Sequence, residues 1–211
     1  MKKSLIALFM CLVLCATNVA YAAPAGKGVD AYSWDTPALQ VTMPDVRPVP
    51  QVVGYNEAEL GRAITYYETY ASQANRNENM RLATQAIHNV ILQPGEVFSY
   101  NQTVGPRTAA RGFKLANVFV GNKKVPGYGG GICQISSTLY MATKKSGLGI
   151  VERHVHSMPV TYCSRDDEAT VSWGVLDYKF QNTLSVPVRI EATMQGGVCN
   201  IAIFSMTPVY A

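Results

Sequence analysis

The chain has 211 residues, 48% of them hydrophobic and 15% charged, with a formal net charge of +4. That length suffices for one domain with a proper core. The mild charge argues against nucleic acid or a strongly anionic membrane as a partner.

Lys2 and Lys3, an apolar run from Leu5 to Leu14 and the small residues around Ala22 make the three-part pattern of a secretory signal peptide over residues 1–22. The apolar run is too short for a transmembrane helix, and no later stretch is long enough, so no transmembrane segment is expected. The expected localisation is outside the cytoplasm, periplasmic or extracellular and associated with the cell envelope. Cleavage would remove Cys11 and Cys15 and leave Cys133, Cys163 and Cys199. An odd number of cysteines in an oxidising compartment points to one free thiol. The economical assignment pairs Cys163 with Cys199 and leaves Cys133 free.

Residues 23–54, with Pro44, Pro48 and Pro50, read as an extended leader. A domain then runs over 55–207. Asn56 is placed to cap a helix extending to about Ser72, with Leu60, Ile64, Tyr67 and Ala71 as its apolar stripe. A second helix is expected from Glu78 to Asn89, ending near a structural His88. Two short strands flank the Pro94-Gly95 turn, and Ala116 to Val120 is a strand leading into a glycine loop.

The loop Gly129-Gly-Gly131 runs directly into Ile132 and Cys133. Ile132, Ile135, Leu139 and Ala142 fall at helical spacing, and Gly147 is a stop signal. Beyond this helix, Gly149 to His156, Ala169 to Trp173 and Asp177 to Phe180 are strand-like. Val186 to Met194 and Val198 to Ser205 form a final hairpin. The expected fold is therefore α+β: two N-terminal helices, then a mixed, largely antiparallel sheet with one internal helix starting at the cysteine.

Cys133 in the first turn of a helix meets unsatisfied N–H groups and the positive end of the dipole, which favour thiolate. The backbone at Gly131, Ile132 and Gln134, with the Gln134 amide, could bind an oxyanion. A cysteine nucleophile needs a base and the base an orienting acceptor. The pair His154-Val-His156 supplies two candidate bases, and Glu152 or Asp177 could orient the imidazole. On one strand, Glu152, His154 and His156 would share a face. Arg107, Arg153 and Tyr128 are candidate substrate contacts, the arginines for a carboxylate. Zinc held by Cys133 and both histidines is the rival reading, but the usual ligand spacing is missing. No metal or other cofactor is expected.

Pro94-Gly-Glu-Val-Phe-Ser-Tyr-Asn101, the Gly105 to Gly112 loop, Gly129 to Tyr140 and Glu152-Arg-His-Val-His-Ser157 occur in that order, followed by Ala169-Thr-Val171 and Asp177 to Asn182. Together, over roughly residues 60 to 195, they resemble the VanW family, named after an accessory protein of vancomycin-resistance clusters. The resemblance implies a bacterial cell-envelope protein acting on peptidoglycan stem peptides, with a further envelope protein as a possible partner. It also implies a cysteine L,D-transpeptidase or carboxypeptidase in which Cys133 forms a thioester with the stem and His156 matches the family's histidine. Glu168 stands where the family commonly has aspartate, and Cys163 where an apolar residue is expected. A non-catalytic protein binding peptidoglycan or a partner is the alternative, and a zinc-dependent peptidase the third reading.

Overall fold

The computed structural model describes residues 50–211. The expected signal peptide, and the expected leader as far as residue 49, lie outside them. Among the described residues no helix is long and apolar enough to cross a membrane.

The main sheet is antiparallel, with four strands in the order β1 (Val52–Tyr66), β9 (Val198–Tyr210), β8 (Val188–Gln195) and β2 (Ile91–Leu92). One face carries Ala63, Cys199, Ile201, Ile203, Val188 and Ile190, all buried. The other face carries ion pairs such as Arg189–Glu57 at 2.6 Å and Arg62–Glu59 at 2.6 Å. Against the apolar face lie α1 (Ala74–Ile87), over β8, and α3 (Ile132–Lys145), over β1 and β9. Met80, Ala83 and Ile87 bury the inner stripe of α1, and Ile132, Ile135, Leu139 and Ala142 that of α3. These are the residues the helical spacing selects, and desolvating them is the main force holding helices to sheet. His88 is structural: its Nδ1 accepts from the Ala192 N–H at 3.1 Å.

A second sheet joins β3 (Val97–Ser99), β7 (Lys179–Gln181) and β6 (Gly149–Glu152), in the order β3-β7-β6. Phe98 and Phe180 stack across it with centroids 5.0 Å apart. The short helix α2 (Tyr100–Val104) follows β3 and is capped by Ser99, whose hydroxyl accepts from the Gln102 N–H. A separate hairpin of β4 (Leu115–Val120) and β5 (Lys123–Tyr128) stands before α3.

The fold is mixed α and β with antiparallel sheets, but the pair of N-terminal helices is not found as a pair: the second stands as α1, and the first, expected from Asn56 to about Ser72, is absent. Residues 52–66 are the long edge strand β1, paired with β9 from Val52↔Tyr210 to Tyr66↔Val198. The reason is steric. The face of β1 under α3 carries small residues, Gly61, Ala63 and Thr65, while the larger Ile64 and Tyr66 point outward. A Cβ on Gly61 would come within 2.8 Å of the Ala142 carbonyl oxygen. Close helix-on-strand packing thus removed the large apolar residues from the buried face and left a misleading helical stripe.

Two strand expectations are also shortened. β6 stops at Glu152, because Arg153 turns to donate to the carbonyls of Glu168 and Arg165, each at 2.6 Å. Residues 169–173 form a loop carrying only the bridge Ser172↔Leu176.

Candidate functional site

The glycine loop is shaped by what lies against it. A Cβ on Gly129 would meet Arg107 Cγ at 2.7 Å, one on Gly130 the Asn117 carbonyl oxygen at 2.6 Å, and one on Gly131 Arg76 Cγ at 2.7 Å. Gly129 and Gly131 also have φ of +84° and +104°, a region costly for other L-residues. Asn79, buried in α1, fastens the loop by donating to the Gly130 carbonyl at 3.0 Å and by bonding both the N–H and C=O of Lys114. Asn79 was not anticipated from sequence; a buried Asn amid the apolar residues of a helix was the available signal.

The loop delivers Cys133 to the start of α3, half-buried at the wall of a groove of about 1860 Å³. Its Sγ lies 3.5 Å from the Val171 carbonyl oxygen and 3.6 Å from Thr170 Oγ1. His156 is beside it, 4% exposed, with Nδ1 facing Glu168 Oε2 at 3.2 Å. The same Glu168 oxygen accepts from the His156 backbone N–H at 2.7 Å, which holds the main chain, while Nδ1 meets the carboxylate as a charge contact without a hydrogen bond of good geometry. Nε2 of the same ring lies 3.3 Å from the Tyr162 hydroxyl, and the ring and the Cys133 thiol each shift the other's pKa. Phe119 and Tyr162 meet the ring edge-on, at 6.1 and 6.3 Å between centroids.

Electrostatics follow from this packing. Burial pushes the Cys133 thiol pKa up, but the hydrogen bond and charge of His156, with the Val171 and Thr170 contacts, outweigh it and leave the pKa below that of an ordinary thiol. Burial pulls His156 down, and Cys133 and Glu168 together carry it above its ordinary value. Each partner favours the charged form of the other. The two remaining cysteines go the other way: burial raises both Cys163 and Cys199 to about 11.

Glu168 is the carboxylate beside His156, and sequence reasoning gave it no role: the family pattern marked it only as a departure from aspartate, while Glu152 and Asp177 were the residues expected to orient the imidazole. It is brought in by α3 itself. Ser136 Oγ donates to the Ala169 carbonyl at 2.5 Å, and Ser137 Oγ accepts the Ala169 N–H at 2.9 Å. The two serines after the cysteine therefore clamp Ala169 by both backbone groups. That sets Glu168 on one side against His156 and Thr170 on the other against Cys133.

Several site residues named from sequence lie elsewhere. The strand bends after Glu152, so the two histidines do not share a face. His154 Nε2 pairs with Glu152 Oε1 at 2.9 Å, and Glu152 also receives Lys179 Nζ at 2.7 Å and the Asp177 N–H at 2.9 Å. Hydrogen bonds from Lys179 and then His154 hold the Glu152 carboxyl pKa down to about 2. Neither His154 nor Glu152 lines the Cys133 groove, so Glu152 does not orient the candidate base. Nor does Asp177, whose oxygens accept from Ser99 Oγ at 2.5 Å and from the N–H groups of Asn101 and Tyr178 at 2.8 Å each. The three ligands of the zinc reading are likewise not assembled, and among the described residues no group of three or more His, Cys, Asp or Glu could hold a metal ion.

The Gln134 side chain is not an oxyanion donor. Its NH2 donates to Thr65 Oγ1 at 3.0 Å and the Tyr66 carbonyl at 2.8 Å, and its oxygen accepts from Arg76 at 2.7 Å. The Ile132 and Gln134 N–H groups are engaged by the carbonyls of Gly129 and Gly131, at 3.3 and 3.0 Å. The N–H groups of Gly131 and Cys133 are the candidate oxyanion donors that remain. Arg153 is spent on the two carbonyls already described, whereas Arg107 and Tyr128 do line the groove.

Cys163 and Cys199 are both free thiols rather than a disulfide. Cys199 is buried inside the main sheet opposite Thr65. Cys163 sits on a loop.

An α+β domain presenting a Cys133–His156–Glu168 constellation in an open groove has the architecture of a cysteine–histidine–carboxylate site. Comparison with known proteins supplies the family: the profile described as VanW like protein matches residues 75–204, and the chain belongs to the VanW family. It is 37% identical over 180 residues to "Uncharacterized protein YoaR" of Bacillus subtilis, covering 83% of this chain and 59% of that protein. It is 28% identical over 127 residues to "Vancomycin B-type resistance protein VanW" of Enterococcus faecalis, covering 58% of this chain and 46% of that protein. The chain thus spans about half the length of these curated relatives. No solved structure matches it.

Proposed function

We propose that this VanW-family protein is an exported cell-wall protein that carries out thiol acyl transfer on peptidoglycan stem peptides. The observation carrying the reading is the Cys133–His156–Glu168 arrangement: a thiol with a lowered pKa against a buried imidazole that a buried carboxylate orients. The vancomycin-resistance name of one relative and the pattern of a signal peptide over residues 1–22 support a place in the envelope, periplasmic or extracellular, where a further envelope protein is a possible partner.

In this mechanism Cys133 Sγ attacks the carbonyl carbon at the stem's L-centre, and the developing oxyanion faces the Cys133 N–H. Imidazolium His156 gives its Nε2 proton to the departing amine as the C–N bond breaks, releasing the terminal amino acid and leaving a thioester. The side-chain amine of a second stem then attacks the thioester and loses a proton to His156. A new amide forms and the thiolate returns, which is the L,D-transpeptidase outcome; water in place of the amine gives a carboxypeptidase. Glu168 faces Nδ1 and keeps the ring turned so that the other nitrogen handles the proton.

Intact-protein mass spectrometry after mixing with a disaccharide-tetrapeptide tests this directly. Wild type should gain one acyl group as the terminal amino acid is released, and Cys133→Ala should gain none. No adduct and no turnover across pH, with muropeptide binding retained, would favour a non-catalytic binding protein.

A further inference from the structure

The Cys133 groove holds a buried cation with no partner. Arg107 Nε, Nη1 and Nη2 are all shielded from solvent, and none has a hydrogen-bond partner. The guanidinium lies between two aromatic rings, 5.8 Å from the centroid of Tyr100 and 5.7 Å from that of Trp173. Cation–π contact offsets only part of the desolvation of a guanidinium, which here leaves five N–H donors unanswered. Asp177 is the acid within electrostatic reach, but Ser99, Asn101 and Tyr178 occupy its oxygens. Arg111, the other nearby cation, spends Nη1 on the carbonyls of Val104 and Pro106.

The position of Arg107 ties it to the reacting centre. Its side-chain stem fills the space left by the missing Cβ of Gly129. Tyr100, beneath the guanidinium, donates its hydroxyl to the Ile132 carbonyl at 3.1 Å, one residue from Cys133. Above it, Trp173 is 49% exposed on a tight turn closed by the Ser172 N–H on the Leu176 carbonyl at 2.8 Å. Basic residues dominate the charged lining, with Arg76, Arg107, Lys124 and Arg165 against Glu68.

Resting on the acyl-transfer reading, we propose that Arg107 is a carboxylate-binding subsite for the donor peptide, covered by Trp173 until the donor enters. Bidentate pairing with a carboxylate is the geometry a guanidinium fork favours. It would fix the scissile carbonyl relative to Cys133. Two carboxylates of a stem peptide have the required chemistry, the one at its C-terminus and one carried on a side chain.

The test uses the full chain carrying Cys133→Ala and Trp34→Phe, so that no acylation occurs and Trp173 is the remaining tryptophan. Three tetrapeptide stems are titrated by calorimetry and by tryptophan emission: the free acid, its C-terminal amide and its side-chain amide. One of the two amides should bind about tenfold to a hundredfold more weakly than the free acid, which identifies the source of the carboxylate. Arg107→Gln should bind all three alike, and Arg107→Lys should retain part of the preference. Trp173 emission should change with the free acid. Equal binding of the three stems to the unaltered Arg107 protein would overturn the subsite, and binding without an emission change would overturn the cover. Carboxylate-dependent binding in this titration, together with no thioester on the protein that keeps Cys133, would keep this inference and reject acyl transfer. Equal thioester yields from acid and amide donors would do the reverse.

Discussion

Two histidine–carboxylate pairs have their histidines two residues apart in the chain, and their surroundings set them apart. The side chains of His154 and Glu152 are 36% and 29% exposed, and Lys179 shares the carboxylate. His156 and Glu168 are 4% and 2% exposed and are joined by Cys133 and Tyr162. In water-accessible surroundings an ion pair is screened and weak, whereas in a dry pocket each charge depends on its partner. The same residue types thus give a surface pair at one address and a tuned thiol–imidazole–carboxylate site at the other. The teaching is that the bend after Glu152, rather than the His-x-His spacing, decides which histidine can serve Cys133.

The strongest way to break the comparison is to exchange which histidine is removed. His156→Ala should lower the rate of Cys133 acylation or alkylation near neutral pH by about 10²–10⁴-fold, while His154→Ala should leave it within about twofold. Equal losses, measured by stopped-flow alkylation, would end the distinction.

Removing the carboxylates sharpens it. Glu168→Gln removes the negative charge that faces the buried His156 while keeping an acceptor oxygen, and should cost about 3–5 kcal/mol of stability, read from urea denaturation. Glu168 raises the His156 pKa, so its loss lowers that pKa, depletes imidazolium and raises the Cys133 pKa. The alkylation–pH midpoint should therefore move to higher pH. Glu152→Gln should leave this midpoint in place.

A third comparison sets the two faces of β1 against each other. Gly61→Val drives a side chain into the Ala142 carbonyl and Ser146 and should cost about 1–3 kcal/mol. Ile64→Val on the outer face, where Ile64 is 47% exposed, should be nearly neutral.

The smallest effect belongs to the surface pair. The Glu152 pKa is lowered in the folded state, so its contribution to stability is present above the ordinary carboxylate range. That contribution is lost as pH falls through the folded value of about 2. Lys179→Met should remove part of it, seen as a slightly smaller loss of Tm between neutral and acid pH.

The sequence by itself determined the helix that starts at Cys133, because its apolar residues repeat at one face of a 3.6-residue turn and a positive-φ glycine bounds each end. It also determined the closing hairpin of β8 and β9, and the helix carrying Met80, Ala83 and Ile87. It marked Cys133 and His156 through residue chemistry and family pattern. The strand at 52–66 was decided by tertiary packing, since its inward side is small only because α3 presses on it. Glu168 was placed by Ser136 and Ser137 gripping Ala169 from another element, a contact without a sequence period. The separation of Cys163 from Cys199, the bonding of Gln134 to Thr65 and Tyr66, and the unanswered guanidinium of Arg107 were decided in the same way. Each depends on which side chains meet across elements distant in sequence, and local periodicity carries no record of such meetings.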